Sequence, residues 1–208
     1  MAYTDFTFDS LRRGFGVRFR DEVLFAGLAP VSPSPWLLDT LHKAKALGFN
    51  SEKSRSERLV TPVLIELSDR NANDFSVISG ATLDADPAKG LDGECDFILS
   101  FSHTRDFVLA PVFCIAEAKK QDLELGTIQV AAQLLGAACL NEREGIAPAA
   151  LYGCSTTGVE WRFIRLENNV FAVDENRYLI NDLGNLLAVL QFITDAARLA
   201  TNGLQSGS

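Results

Sequence analysis

The runs Glu94-Cys-Asp-Phe-Ile-Leu-Ser100 and Cys114-Ile-Ala-Glu-Ala-Lys-Lys120 decide how this chain reads. Phe97, Ile98 and Leu99 fill the first, Val112, Phe113 and Ile115 lead into and along the second, and the polar segment Ser102–Asp106 separates them. Apolar runs of this length bounded by turn residues predict buried strands joined as a hairpin. Asp96 lies near the start of the first strand. Glu117 and Lys119 close the second, at i and i+2, and therefore project from one face. Charges at the end of a buried strand are costly unless they are paired or bind something. Two converging acids repel each other, and a divalent cation relieves that repulsion. Magnesium suits such a place, because it takes oxygen ligands and keeps several waters; manganese is the alternative. A lysine alongside can orient or help deprotonate a water and stabilise charge developing on a phosphate. The plainer reading is that Lys119 simply pairs with Glu117 where the strand ends.

The elements around the hairpin follow from pattern. Trp36–Leu47 is apolar at 37, 38, 41, 44 and 47 and is followed by Gly48, which predicts an amphipathic helix. Ser51–Asp69 reads as the next helix, with Pro62 imposing a kink or a late start. Phe75–Leu83 reads as a strand, Leu125–Asn141 as a helix and Ala149–Ser155 as a buried strand. Val159–Leu166 alternates, with Trp161 and Phe163 on one face and Arg162, Ile164 and Leu166 on the other. Asn168-Asn169 turns into Val170–Val173, so a meander extends the sheet. Asn181–Thr201 is a last amphipathic helix, and the tail 203–208 reads as disordered. Residues 4–17 read as a short helix or arm and 24–35 as a proline-broken loop. The expectation is an α/β protein, a mixed sheet flanked by helices. Residues 1–50 form a helical extension packed on the core, and 51–202 form the domain itself.

Over Ser51–Leu166 the chain resembles the PD-(D/E)XK nuclease superfamily, the restriction-endonuclease-like fold. The resemblance rests on Asp96 and on Glu117-Ala118-Lys119, set between helices. It is similar to the N-terminal nuclease region of type I restriction enzyme motor subunits, where a helix carrying Glu-Arg precedes the strands and a Gln-bearing helix follows. Cys95 stands where the family often has proline. The resemblance implies an αβββαβ core and magnesium- or manganese-dependent hydrolysis of DNA, as an endo- or exonuclease. It implies a metal held by Asp96 and Glu117, with Lys119 in the chemistry. The preceding helix would add an acid, and Ser56-Glu57-Arg58 points to Glu57, with Glu66 behind it. Ser54-x-x-Glu57 is equally a capping box. A glutamine on the following helix would face the site, Gln133 before Gln129, which reads more readily as a solvent-facing amide. A homodimer or a partner subunit would accompany such a domain.

Composition sets limits on these expectations. The chain has 208 residues, is 47% hydrophobic and carries a net charge of −8. The excess of acids argues against gripping DNA unaided, since that affinity rests on lysine and arginine neutralising phosphates. Residues 1–58 are the exception, with nine Lys or Arg against seven acids. They would form either a basic face near the substrate or an ordinary solvated surface. An alternative function is therefore a non-catalytic nuclease-like binding or assembly domain that acts with a partner protein. Four scattered cysteines and two isolated histidines support neither a zinc site nor a disulfide framework. No Gly-rich phosphate loop, dinucleotide fingerprint or nucleophile elbow occurs. The opening residues lack a signal-peptide pattern and no apolar run reads as a membrane span, so a cytoplasmic protein is expected.

Overall fold

The computed structural model describes residues 2–102 and 104–205. Helix α1 (Phe8–Phe15) and strand β1 (Arg18–Glu22) open the chain, followed by α2 (Pro35–Leu47). Then come α3 (Glu52–Arg55), a π-helical turn (Ser56–Val60) and α4 (Thr61–Arg70). Strands β2 (Ser76–Thr82), β3 (Glu94–Ser100) and β4 (Val112–Ala118) lead to α5 (Leu123–Arg143). The chain ends with β5 (Leu151–Thr156), β6 (Glu160–Glu167), β7 (Val170–Asp174), β8 (Tyr178–Leu179) and α6 (Leu183–Gln205).

These strands make one mixed eight-stranded sheet in the order β1-β7-β6-β5-β4-β3-β2, with β8 on β6. β2, β3 and β4 run antiparallel in succession, and β5 returns parallel to β4 after α5. A parallel return needs a long crossover, and α5 is that connection. The expected α/β class is thus observed, with helices on both faces. One face packs against α1 and α5, around Leu11, Ile98, Ile115, Leu134 and Phe171. The other packs against α2, α4 and α6, around Leu37, Leu64, Phe97, Phe163 and Leu187. By length and composition α5 and α6 are each apolar enough to cross a membrane, contrary to the expectation of no such run. In this fold both helices turn apolar residues into the two cores.

Local chemistry explains the boundaries. Ser34 caps α2, Pro35 occupies its first turn, and Gly48 stops it with φ of 68°. Asn168 and Asn169 both adopt positive φ, 49° and 60°, which a two-residue hairpin turn requires. Pro62 has no N–H to donate, and the π turn ends just before it, so the expected kink is a change of helical winding.

Three local expectations are corrected. The first fifty residues are not only helical: β1 pairs parallel with β7, and Phe19 stacks on Phe171 at 4.9 Å. The capping box lies at Ser51 and Ser54, not at Ser54 and Glu57. Helix α6 continues to Gln205, into the expected tail, while 206–208 lie outside the described residues.

Candidate functional site

Glu117 is the centre of the site. It is the last acid on β4, is only 4% exposed, and points to the face covered by α5. A carboxylate with so little water needs donors, and the chain supplies three. Its Oε1 accepts from Lys119 Nζ at 2.9 Å and from Gln129 Nε2 at 2.6 Å. Its Oε2 accepts from Gln133 Nε2 at 2.9 Å. Gln129 and Gln133 are four apart and so share one face of α5. Gln129 is therefore not the solvent-facing amide that its local pattern suggests; it is buried against Glu117.

Small residues make this approach possible. A Cβ on Gly126 of α5 would lie 2.9 Å from Lys119 Cγ and from Ser155 Cβ. A Cβ on Gly153 of β5 would collide with Val130 of α5. With neither present, α5 lies directly over β4 and β5, and the stem of Lys119 runs beside it.

Asp96 joins from the neighbouring strand. β3 pairs Phe97 with Ala116, which carries Asp96 to the level of Glu117. Asp96 Oδ2 accepts from the Ala118 N–H at 2.7 Å. Its other oxygen has no hydrogen-bond partner among the described residues. The Asp96 pKa is raised from 3.8 to about 6, first by burial and next by the negative charge of Glu117. The Ala118 N–H and Lys119 oppose the rise, and Glu52 adds to it. Asp96, Glu117 and Lys119 are thus brought together on one face.

The helix acids are placed differently from expectation. Glu57 is not brought to this cluster; its side chain is 56% exposed and lies 3.9 Å from Lys53. Glu66 is buried elsewhere, accepting from the Ser34 N–H and hydroxyl and pairing with Arg70, so it anchors the start of α2. The helix acid near the site is Glu52, whose Oε2 accepts from the Lys120 N–H at 3.2 Å. Capping at Ser51 sets Glu52 over the end of β4. Glu57, five positions on and within the π turn, is carried away from that strand end. Sequence reading missed Glu52; the signal that could have found it was Ser51 as the cap.

The remaining candidates are structural or dispersed. Trp161 is fully buried and stacks on Phe163 in the core, so it offers no base platform. Arg58 donates to the carbonyls of Leu47 and Gly48, tying down the end of α2. Arg12, Arg13, Arg20, Lys43 and Lys53 each lie beside an acid of their own element or its neighbour, which offsets their charge. The cysteines are free, and three of them are buried. His103 lies outside the described residues.

Among the described residues no three His, Cys, Asp or Glu side chains converge as a metal-binding group. The site offers two carboxylates instead. That set fits magnesium, which is commonly held by one or two carboxylates and otherwise by water and phosphate. Two features agree with such an ion. Asp96 is crowded by negative charge, which raises its affinity for any cation. Gln133 Oε1 is buried without a partner, an acceptor available to a water. Because a carboxylate only accepts, the bond to Glu117 fixes which end of that amide is which.

No protein-family model, curated protein or solved structure matches the chain.

Proposed function

We propose that this chain is a metal-dependent nuclease of the PD-(D/E)XK kind, with a restriction-endonuclease-like αβββαβ core, that hydrolyses phosphodiester bonds of DNA. One observation carries the reading. Two carboxylates from adjacent antiparallel strands meet at a strand end, with a lysine ammonium 2.9 Å from one of them. The succession α4, β2, β3, β4, α5, β5, with β4 and β5 parallel, supports it.

Asp96 and Glu117 would hold a magnesium or manganese ion, which when bound supplies Lewis acidity toward a phosphoryl oxygen. The rest is done by the chain itself. Gln129 and Gln133 fix the Glu117 carboxylate in one orientation, as buried hydrogen-bonded amides do. Lys119, held by Glu117, stabilises negative charge developing on the phosphate and orients the attacking water. Gln133 Oε1, buried without a partner, suits an enclosed water beside Glu117. Glu52 adds negative potential at the end of β4 and takes the place first assigned to Glu57. The net charge of −8 makes a partner subunit the expected source of further DNA affinity.

A non-catalytic binding or assembly role is the second reading. It is favoured by Glu117 already having three donors within 2.9 Å. Incubation with plasmid and labelled linear DNA in magnesium or manganese separates the two. The nuclease reading expects cation-dependent cleavage that Glu117→Ala abolishes while circular dichroism and thermal unfolding still report a folded protein. Cleavage that persists in Glu117→Ala ends the assignment.

A further inference from the structure

A row of side chains continues from the acidic pair toward the other edge of the sheet. The ladder pairs Glu117 with Ser155 and Ser155 with Arg162. Directly opposed residues share a face, so Arg162 stands on the side that carries Glu117. Two strand spacings separate them, about 10 Å. Ile164, next on that face of β6, packs in the core shared with α1 and α5.

A groove of about 350 Å³ opens over Arg162. Phe19, Asp21, Arg162 and Val173 form its floor, and Glu124 and Ile128 of α5 form one wall. Arg162 has no hydrogen bond or ion pair among the described residues, and its Nε is buried without a partner. The other arginines nearby are engaged: Arg165 with Glu22 and Glu167, Arg177 with Glu160. Asp21 and Glu124 raise the Arg162 pKa and so are near it, yet neither forms a salt bridge with it. Burial and Arg177 outweigh them and hold the pKa below its ordinary value. A half-buried guanidinium left without an acceptor is a fork suited to two oxygens of one phosphate.

We propose that this groove is a phosphate subsite, in which Arg162 grips a backbone phosphate of the DNA strand whose neighbouring linkage lies at Glu117. The proposal rests on the nuclease reading and adds a direction to it. The strand passes from Asp96 and Glu117 toward Arg162 over the first turn of α5, which covers Ser155 between them. A phosphate contact contributes register and affinity without sequence preference. Asp21 and Glu124 both line the groove, oppose the anion and limit how tightly the strand is held.

The test measures binding of a fluorescein-labelled DNA oligonucleotide by anisotropy over a salt series. Asp96→Asn protein in magnesium serves as the cleavage-deficient parent. Adding Arg162→Gln should weaken binding about tenfold and lower the slope of log affinity against log salt by about 1. Adding Arg162→Lys should keep the slope yet lose affinity, because the charge remains and the fork is gone. Adding Glu124→Gln should tighten binding. If Arg162→Gln does not fold, the other two substitutions decide. Unchanged affinity and slope on altering Arg162, in a parent that binds while the unaltered protein cleaves, overturns the subsite alone. A parent that binds no DNA, with an unaltered protein that cleaves none, overturns the subsite and the nuclease reading together.

Discussion

Replacing Asp96 by Asn should make the metal-free protein more stable, the opposite of what most substitutions do. The Asp96 pKa is raised from 3.8 to about 6 by burial and by Glu117. A folded-state pKa above the unfolded one means that the folded protein holds its proton more tightly. Stability is therefore lost as pH rises from about 4 to 6, and the loss is complete above that. A shift of about two units corresponds to about 3 kcal/mol at neutral pH. Asp96 is half-buried, and partial solvent screening reduces the expected figure to about 1–3 kcal/mol. Asn avoids this charge cost yet keeps an oxygen to accept the Ala118 N–H, so the hydrogen bond survives. For a chain of this length the gain is a rise of about 2–10 °C in melting temperature. Thermal unfolding followed by circular dichroism in chelator, from pH 4 to 8, reads it directly. The gap between variant and parent should be widest above pH 6 and close toward pH 4. A variant that is equal or less stable at pH 7.5, or a gap that does not vary with pH, refutes the argument that Asp96 and Glu117 crowd each other.

Three further outcomes follow from the same geometry. Gln133→Leu or Gln129→Leu strips a donor from buried Glu117 and should each destabilise by about 1–3 kcal/mol in urea unfolding. Lys119→Met should reduce cation-dependent cleavage by at least about a hundredfold while leaving the sheet intact by circular dichroism. Gly136→Ala on α5 drives a methyl group into the Tyr3 hydroxyl, which donates to the Leu83 carbonyl at 2.8 Å. It should cost on the order of 1–3 kcal/mol, with a smaller penalty in a Tyr3→Phe background, measured by a double-mutant cycle.

What local pattern revealed and what it hid have physical causes. The β3–β4 hairpin was legible because both strands are apolar along most of their length, and its terminal acids stood out against that background. The meander after α5 was legible because β6 alternates cleanly between two cores. β1 was hidden: Arg-Phe-Arg-Asp-Glu has little apolar signal, and its place in the sheet depends on a distant partner, β7. The burial of Gln129 was hidden for a similar reason. Its partner, Glu117, is twelve residues away and meets it only after α5 folds across the sheet. Glu57 looked like the helix acid because Ser-Glu-Arg suggested it, whereas the cap at Ser51 and the π turn decide which acid overlies β4. The unpaired state of Arg162 belongs to no local period, since it depends on which acids fail to reach it.

Calorimetric titration of the folded, metal-free protein with manganese tests the central claim most directly. The account predicts binding heat that is lost in both Asp96→Asn and Glu117→Ala, with the unfolding temperature of the unaltered protein rising as the ion is added. Absence of binding at millimolar manganese, or heat that survives removal of both carboxylates, would contradict it.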